Sequence, residues 1–214
     1  MTFDKALNFL FPSKCRICYK KGNFEVCENC IKRIRRYENI KIINFKNRNL
    51  DSLIYFFKYE DYIRKLILDF KFFNKFYLGK VFSKIILKNE KICGKMKFYD
   101  IIIPVPMHKI KKLERGYNQT EILSEDLAKN LNVLYNKNIL VKVVNNKRQS
   151  SLSEKERHKN IKNVFKIKNS DKIKNKKIIL VDDICTTSAT LEECSKVLKV
   201  AGAKEILALV IAKD

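Results

Sequence analysis

Val181-Asp182-Asp183-Ile184-Cys185-Thr186-Thr187-Ser188-Ala189-Thr190 follows the apolar run Lys177-Ile178-Ile179-Leu180 and leads into Leu191, Cys194, Val197, Leu198 and Ala201, which repeat at helical spacing up to Gly202. This pattern predicts a buried strand, a tight hydroxyl-rich turn and a helix, followed by another strand from Glu205 to Ala212. Two adjacent carboxylates then stand at the C-terminal end of a buried strand, where open α/β sheets bind ligands. The turn offers backbone N–H groups and Thr/Ser hydroxyls at the positive end of a helix dipole, which suits a phosphate monoester. Neighbouring carboxylates on an extended segment point in different directions and can accept from adjacent sugar hydroxyls. An acidic loop followed by a Thr-rich helix cap explains each feature singly, and less easily all of them in register.

A second β-loop-α unit lies upstream. Tyr99-Asp100-Ile101-Ile102-Ile103-Pro104-Val105-Pro106 reads as a short apolar strand stopped by prolines. A polar, basic loop to Gln119 follows, then a helix from Glu121 to Leu131 with Ile122, Leu123, Leu127 and Leu131 on one side. Further back, Leu53 to Phe57 reads as a strand, and Tyr62 to Phe70 and Leu78 to Ile86 as helices. Strands alternating with helices mean a parallel sheet flanked by helices, an α/β fold.

Seven cysteines sit at 15, 18, 27, 30, 93, 185 and 194, an odd count that argues against a disulfide framework. Cys15, Cys18, Cys27 and Cys30 form C-x2-C-x8-C-x2-C, two thiolate pairs shaped to hold one tetrahedral Zn²⁺. Four thiolates leave no open position for water, so the site is read as structural. Four unrelated thiols, or a redox CxxC pair with a superfluous second, are the competing readings. Cys93, Cys185 and Cys194 read as core or loop residues without a role. The basic stretch after Ile31 is poor in apolar periodicity, so residues 1–49 are assigned to a zinc module with a basic linker and 50–214 to the α/β domain.

The chain has 214 residues, 46% of them hydrophobic, which excludes a disordered polymer. No apolar run reaches the ~18 residues of a membrane span. No signal peptide is visible at Met1 to Leu7, so a cytoplasmic, reducing location is expected. Formal net charge is +23, a potential that attracts polyanions. Lysine, isoleucine and asparagine dominate while arginine is scarce, so composition bias is the competing reading of that charge.

The strand, the two acids and the run Thr186-Thr187-Ser188-Ala189-Thr190 resemble the phosphoribosyl pyrophosphate (PRPP) fingerprint of the type I phosphoribosyltransferases, where Gly usually occupies the position of Ser188. The resemblance implies that Asp182 and Asp183 contact the ribose 2′- and 3′-hydroxyls and that Thr186, Thr187, Ser188, Ala189 and Thr190 cradle the 5′-phosphate. Pro104-Val105-Pro106-Met107-His108 and Glu114-Arg115-Gly116-Tyr117-Asn118-Gln119 are similar to motifs of the ComF family, competence-associated proteins with an N-terminal four-Cys module. That resemblance implies a pyrophosphate loop in which Lys109, Lys111, Lys112 and Arg115 face the diphosphate, Arg115 being suited to bidentate contact. Gln149 to Phe165 is similar to a third family motif where the fold carries a mobile lid, with Asn146 in place of an expected threonine, and Tyr59 and Lys71 echo a pattern upstream.

ComF resemblance implies a protein that binds PRPP or a related 5-phosphoribosyl ligand with Mg²⁺ and handles single-stranded DNA during natural transformation, with a DNA-uptake helicase as partner. Tyr19, Phe24 and Tyr37 near Arg33, Arg35 and Arg36 are candidate stacking and phosphate contacts, or else core aromatics beside a solvated basic face. The alternative is an active phosphoribosyltransferase that passes the phosphoribosyl group to a nucleobase or amine, with zinc as a fold staple. No nucleobase site is identifiable in the sequence, which leaves the enzyme question open.

Overall fold

The computed structural model describes residues 14–22, 25–146 and 160–214. The chain divides into two compact units, Met1–Glu38 and Asn39–Asp214. The first contains α1 (Glu28–Arg35).

In chain order, the remaining elements begin with β1 (Glu38–Asn44), β2 (Ser52–Lys58), α2 (Asp61–Phe72), α3 (Tyr77–Leu87), α4 (Glu90–Met96) and β3 (Ile101–Pro104). They continue with α5 (Lys109–Arg115), α6 (Gln119–Leu131), β4 (Leu134–Tyr135), β5 (Leu140–Lys142), β6 (Phe165–Ile167), β7 (Lys177–Cys185), α7 (Ala189–Val200) and β8 (Glu205–Lys213). Six strands form one sheet in the order β1-β2-β8-β7-β3-β4, and β5 and β6 pair antiparallel in a separate ribbon.

From β2 to β4 every pairing is parallel: Ser52 opposes Leu207, Lys177 opposes Glu205, Ile101 opposes Ile178 and Ile101 also opposes Leu134. Parallel central strands are covered on both faces, so they read as unbroken apolar runs. Ile206 to Ala212 of β8 accordingly have no exposed surface. Leu53, Ile101, Ile103, Ile178, Leu180, Ala208 and Val210 share one core with Leu191, Cys194 and Leu198 of α7. Elsewhere in the same unit, α2, α3 and α6 converge where Phe70 and Ile122 close on Gly79.

The strand order positions the site. From β3 the chain runs through α5 and α6 to β4, whereas from β7 it runs through α7 to β8 in the opposite direction along the sheet. Diverging connections from adjacent parallel strands open a crevice at their carboxyl ends.

Two segments differ from their sequence expectation. The polar loop after Pro106 contains the helix α5, started by the His108 ring nitrogen accepting from the Ile110 N–H (3.4 Å) and stopped by Gly116 at φ 82°. None of its residues is buried, so no apolar periodicity announces it. Residues 39–44, read as part of a linker, lie in the edge strand β1, whose half-exposed residues give no clean alternation. Among the described residues no helix is long and apolar enough to cross a membrane.

A Cβ at Gly79 would lie 2.7 Å from Ile122 Cγ2, whereas one at Gly94 meets nothing within 4 Å. Gly79→Val is expected to lower unfolding stability by about 1–3 kcal/mol through overpacking. Gly94→Ala, inside α4, is expected to raise it by about 0.5–1 kcal/mol. Urea unfolding of both variants checks the pair.

Candidate functional site

A cleft of about 830 Å³ occupies the crevice. Asp182, Asp183, Thr186 and Thr190 line it from the end of β7 and the turn into α7. Arg64, Leu68, Lys71 and Phe72 come from α2, Lys111 and Arg115 from α5, and Lys142 and Phe165 from the β5–β6 ribbon. The β-pleat turns the two acids to opposite sides.

Asp183 is 4% exposed and paired on both oxygens. Lys71 Nζ lies 2.8 Å from Oδ1, and the Gln119 side-chain amide donates to Oδ2. Arg115 in turn donates to Gln119 Oε1 at 2.6 Å, so the guanidinium orients the amide that orients the acid. Arg115 also stands over the Phe72 ring, 4.9 Å from its centroid. Asp182 Oδ1 accepts from the Asp183 N–H at 2.8 Å. Burial and then the Asp183 charge push its carboxyl up to about 7, against the opposing pull of Lys71, that N–H and Lys142. Burial, with the nearby Lys111 charge, brings the Lys142 ammonium down to about 8.

Ser188 occupies the tight position of the hydroxyl-rich turn with φ 61° and ψ 0°. A side chain there costs on the order of 1 kcal/mol relative to glycine. Its hydroxyl lies 3.2 Å from Cys185 Sγ, and its carbonyl accepts from the Glu192 N–H at 2.9 Å, starting α7. Thr187, Ser188 and Ala189 complete the turn between the cleft-lining Thr186 and Thr190.

Of the basic residues expected around a diphosphate, Lys111 and Arg115 line the cleft. Lys109 and Lys112 do not: Lys109 points to the opposite side of the helix from the i, i+4 pair Lys111 and Arg115, and Lys112 Nζ is held 2.7 Å from Glu121. Gln149 to Lys159 of the expected lid lies outside the described residues. Among the cleft residues with no role assigned from sequence are Lys71, Gln119 and Lys142, whose polar groups act on the acids. The first two lie in segments already singled out as motifs, and Lys142 lies in a three-residue strand without a motif.

In the N-terminal unit the four sulfurs of Cys15, Cys18, Cys27 and Cys30 all lie within 4.8 Å of one another. Cys15 and Cys30 are 3.7 Å apart, and Cys18 and Cys27 are 3.6 Å apart. A tetrahedron with ~2.3 Å Zn–S bonds has S···S edges of about 3.8 Å, so the donor set fits Zn²⁺, while these separations exclude disulfides. The Cys27 N–H donates to Cys15 Sγ at 3.3 Å, and Cys27 caps α1, placing Cys30 in its first turn. Burial raises the Cys15 thiol, but the N–H groups of Cys27, Cys18 and Ile17 outweigh it and bring it to about 6. Arg33, Arg35, Arg36 and Tyr37 are exposed, Tyr19 is 74% exposed, and Arg35 is paired with Glu38 at 2.7 Å. Phe24 lies outside the described residues.

Replacing Cys27 and Cys30 by Ser is expected to abolish stoichiometric zinc by metal analysis and to destabilise the N-terminal unit, and retained zinc would refute the assignment. For Asp182, the folded state holds the proton more tightly than the unfolded one, so its contribution is present below the ordinary carboxylate value of 3.8 and is lost as pH rises toward about 7. Asp182→Asn keeps the acceptor without the charge. Its stability advantage over wild type is expected to grow across that window to about 1–3 kcal/mol and then level off, as read by thermal unfolding at a series of pH values.

Residues 119–214 match the family described as Phosphoribosyl transferase domain, a span that contains the β7 acids and the turn into α7. Competence protein F of Haemophilus influenzae is 30% identical over 198 residues, covering 90% of this chain and 86% of that protein. Competence protein ComFC of Streptococcus pneumoniae is 31% identical over 150 residues, 70% of this chain and 63% of its own length. DNA utilization protein YhgH of Escherichia coli O157:H7 is 26% identical over 145 residues, 66% of this chain and 63% of its own length. The parallel sheet, the acids and turn at its switch point, the four-cysteine cluster and this near-full-length similarity agree: the chain is a member of the ComF family, built on a type I phosphoribosyltransferase-like fold.

Proposed function

We propose that the cleft binds PRPP or a related 5-phosphoribosyl ligand and that the protein handles single-stranded DNA in natural transformation. The observation that carries the first part is the Asp182–Asp183 pair at the crevice floor, one held by Lys71 and Gln119 and both followed by a hydroxyl-rich turn into a twelve-residue helix. The 5′-phosphate is assigned to the Thr186–Thr190 turn, where the N–H groups of α7 begin. The ribose 2′- and 3′-hydroxyls donate to Asp182 and Asp183. Arg115 and Lys111, one helical turn apart, face the diphosphate, with Arg115 already aligned by Gln119.

The two carboxylates are hard oxygen donors of the kind Mg²⁺ uses through few protein ligands. Mg²⁺, when bound, neutralises charge on the diphosphate. Asp182, with its carboxyl near 7, gains its full charge once cationic or hydrogen-bonding partners enter.

The names of the relatives, a competence protein and a DNA utilization protein, support the role in DNA uptake. In that role the protein would work in the cytoplasm with a DNA-uptake helicase, and the exposed Arg33, Arg35, Arg36 and Tyr37 are candidates for strand contact.

Titration of Mg-PRPP into zinc-loaded protein by calorimetry tests the ligand, and released pyrophosphate in the same sample, with and without nucleobases, tests turnover. Asp182→Asn combined with Asp183→Asn is expected to weaken PRPP at least tenfold while the chain stays folded, and unchanged affinity would refute the assignment. Arg115→Ala should weaken pyrophosphate more than ribose 5-phosphate. Equal losses would displace the diphosphate from α5.

A further inference from the structure

Phe72, Phe73 and Phe76 stand at the end of α2 and in its turn toward α3, with 49%, 67% and 52% of their surfaces exposed. Three large rings within five residues, each about half exposed or more, contribute less to stability than core rings do. Phe70, in the same segment, shows the contrast: it is fully buried and stacks on Tyr117 with ring centroids 6.2 Å apart. The exposed rings alternate with Lys71 and Lys75, and Arg115 lies over Phe72. Phe72 and Asn74 also line the cleft, so the ridge continues into its mouth.

We infer that this ridge is a stacking surface for single-stranded nucleic acid leading into the cleft. Bases of any identity present a π-face to Phe73 and Phe76, while the phosphates run past Lys75 and the exposed Lys80. The acidic Asp69 beside the ridge is already paired with Lys75 at 2.7 Å. Exposed aromatics set among cations, with no aliphatic side chain between residues 71 and 76, match a polyanion with planar bases better than the aliphatic face of a protein partner. Tyr37 and its arginines, the other candidates for strand contact, belong to the N-terminal unit, whereas the ridge belongs to the second. The inference deepens the DNA-handling reading proposed above and rests on it.

The test is fluorescence anisotropy of the zinc-loaded full chain with a labelled 5′-phosphorylated oligothymidylate of about 12 nucleotides, repeated over a range of salt concentrations. Phe73→Ala and Phe76→Ala are each expected to weaken binding by about five- to a hundredfold. Phe73→Trp should retain it, and the slope of log affinity against log salt should stay unchanged because the phosphate contacts remain. Lys80→Ala should instead reduce that slope by about one. Oligothymidylate affinity unaltered in the Phe73→Ala, Phe76→Ala double variant overturns the inference. So does gel filtration in which that variant converts a dimer into a monomer while keeping its affinity, since the ridge is then an interface between copies. Far-UV circular dichroism confirms that the variants are folded. Mg-PRPP calorimetry on the wild type keeps the two readings apart: ring-dependent oligonucleotide binding without PRPP binding supports the ridge and refutes the phosphoribosyl ligand, and PRPP binding with ring-independent oligonucleotide binding does the reverse.

Discussion

The Lys71 ammonium, 2.8 Å from the Asp183 carboxylate, ties α2 to the end of β7 across 112 positions of sequence, and Gln119 at the start of α6 completes the clasp. Removing one partner of such a buried pair leaves an uncompensated charge, which costs several kcal/mol, so all three segments must meet for any one to be tolerable. Stability alone does not require this arrangement, because an apolar replacement of similar volume is often neutral or better. Its place on the floor of a crevice fits a carboxylate aimed for a ligand.

Everything behind the clasp serves to deliver it. The seven consecutive buried residues of β8 and the apolar start of β7 fix two strands that no one-residue slip can re-register without burying Asp182 or Asp183 in the core. Where β7 ends, its polar tip has nowhere to go except the crevice, and the turn through Ser188 accepts a left-handed backbone at a residue other than glycine. That cost is local, and the surrounding sheet supplies the stability that offsets it.

The N-terminal unit obeys a different economy. It is too small to bury much apolar surface, and among its described residues Cys15, Cys27 and Cys30 are buried alongside Val26, Ile31 and Ile34. Four sulfurs close enough to share one metal ion organise the fold there, with Cys27 both a candidate ligand and the N-cap residue of α1.

Period and punctuation made much of this legible beforehand. The apolar runs of β2, β3, β7 and β8, the helical spacing of α2, α3, α6 and α7, and the two CxxC pairs each declare themselves within ten or so residues. The acids and the hydroxyl-rich turn were visible for the same reason, since strand, turn and helix are contiguous. The helix α5 was hidden because it buries nothing, and the β5–β6 ribbon because three residues carry no period.

Sequence alone thus determined the apolar strands of the sheet and its long covering helices, the parallel class of the sheet, the four-cysteine cluster and the acids with their hydroxyl-rich turn at the end of β7. Only the tertiary structure decided which cations face the acids. Lys71, Gln119 and Lys142 reach the cleft from separate segments, and Lys111 lines it while Lys112, its neighbour, turns to Glu121. Contacts across such distances depend on strand order and on the 100° rotation from one helical residue to the next. Neither is written in the local composition of the residues that meet.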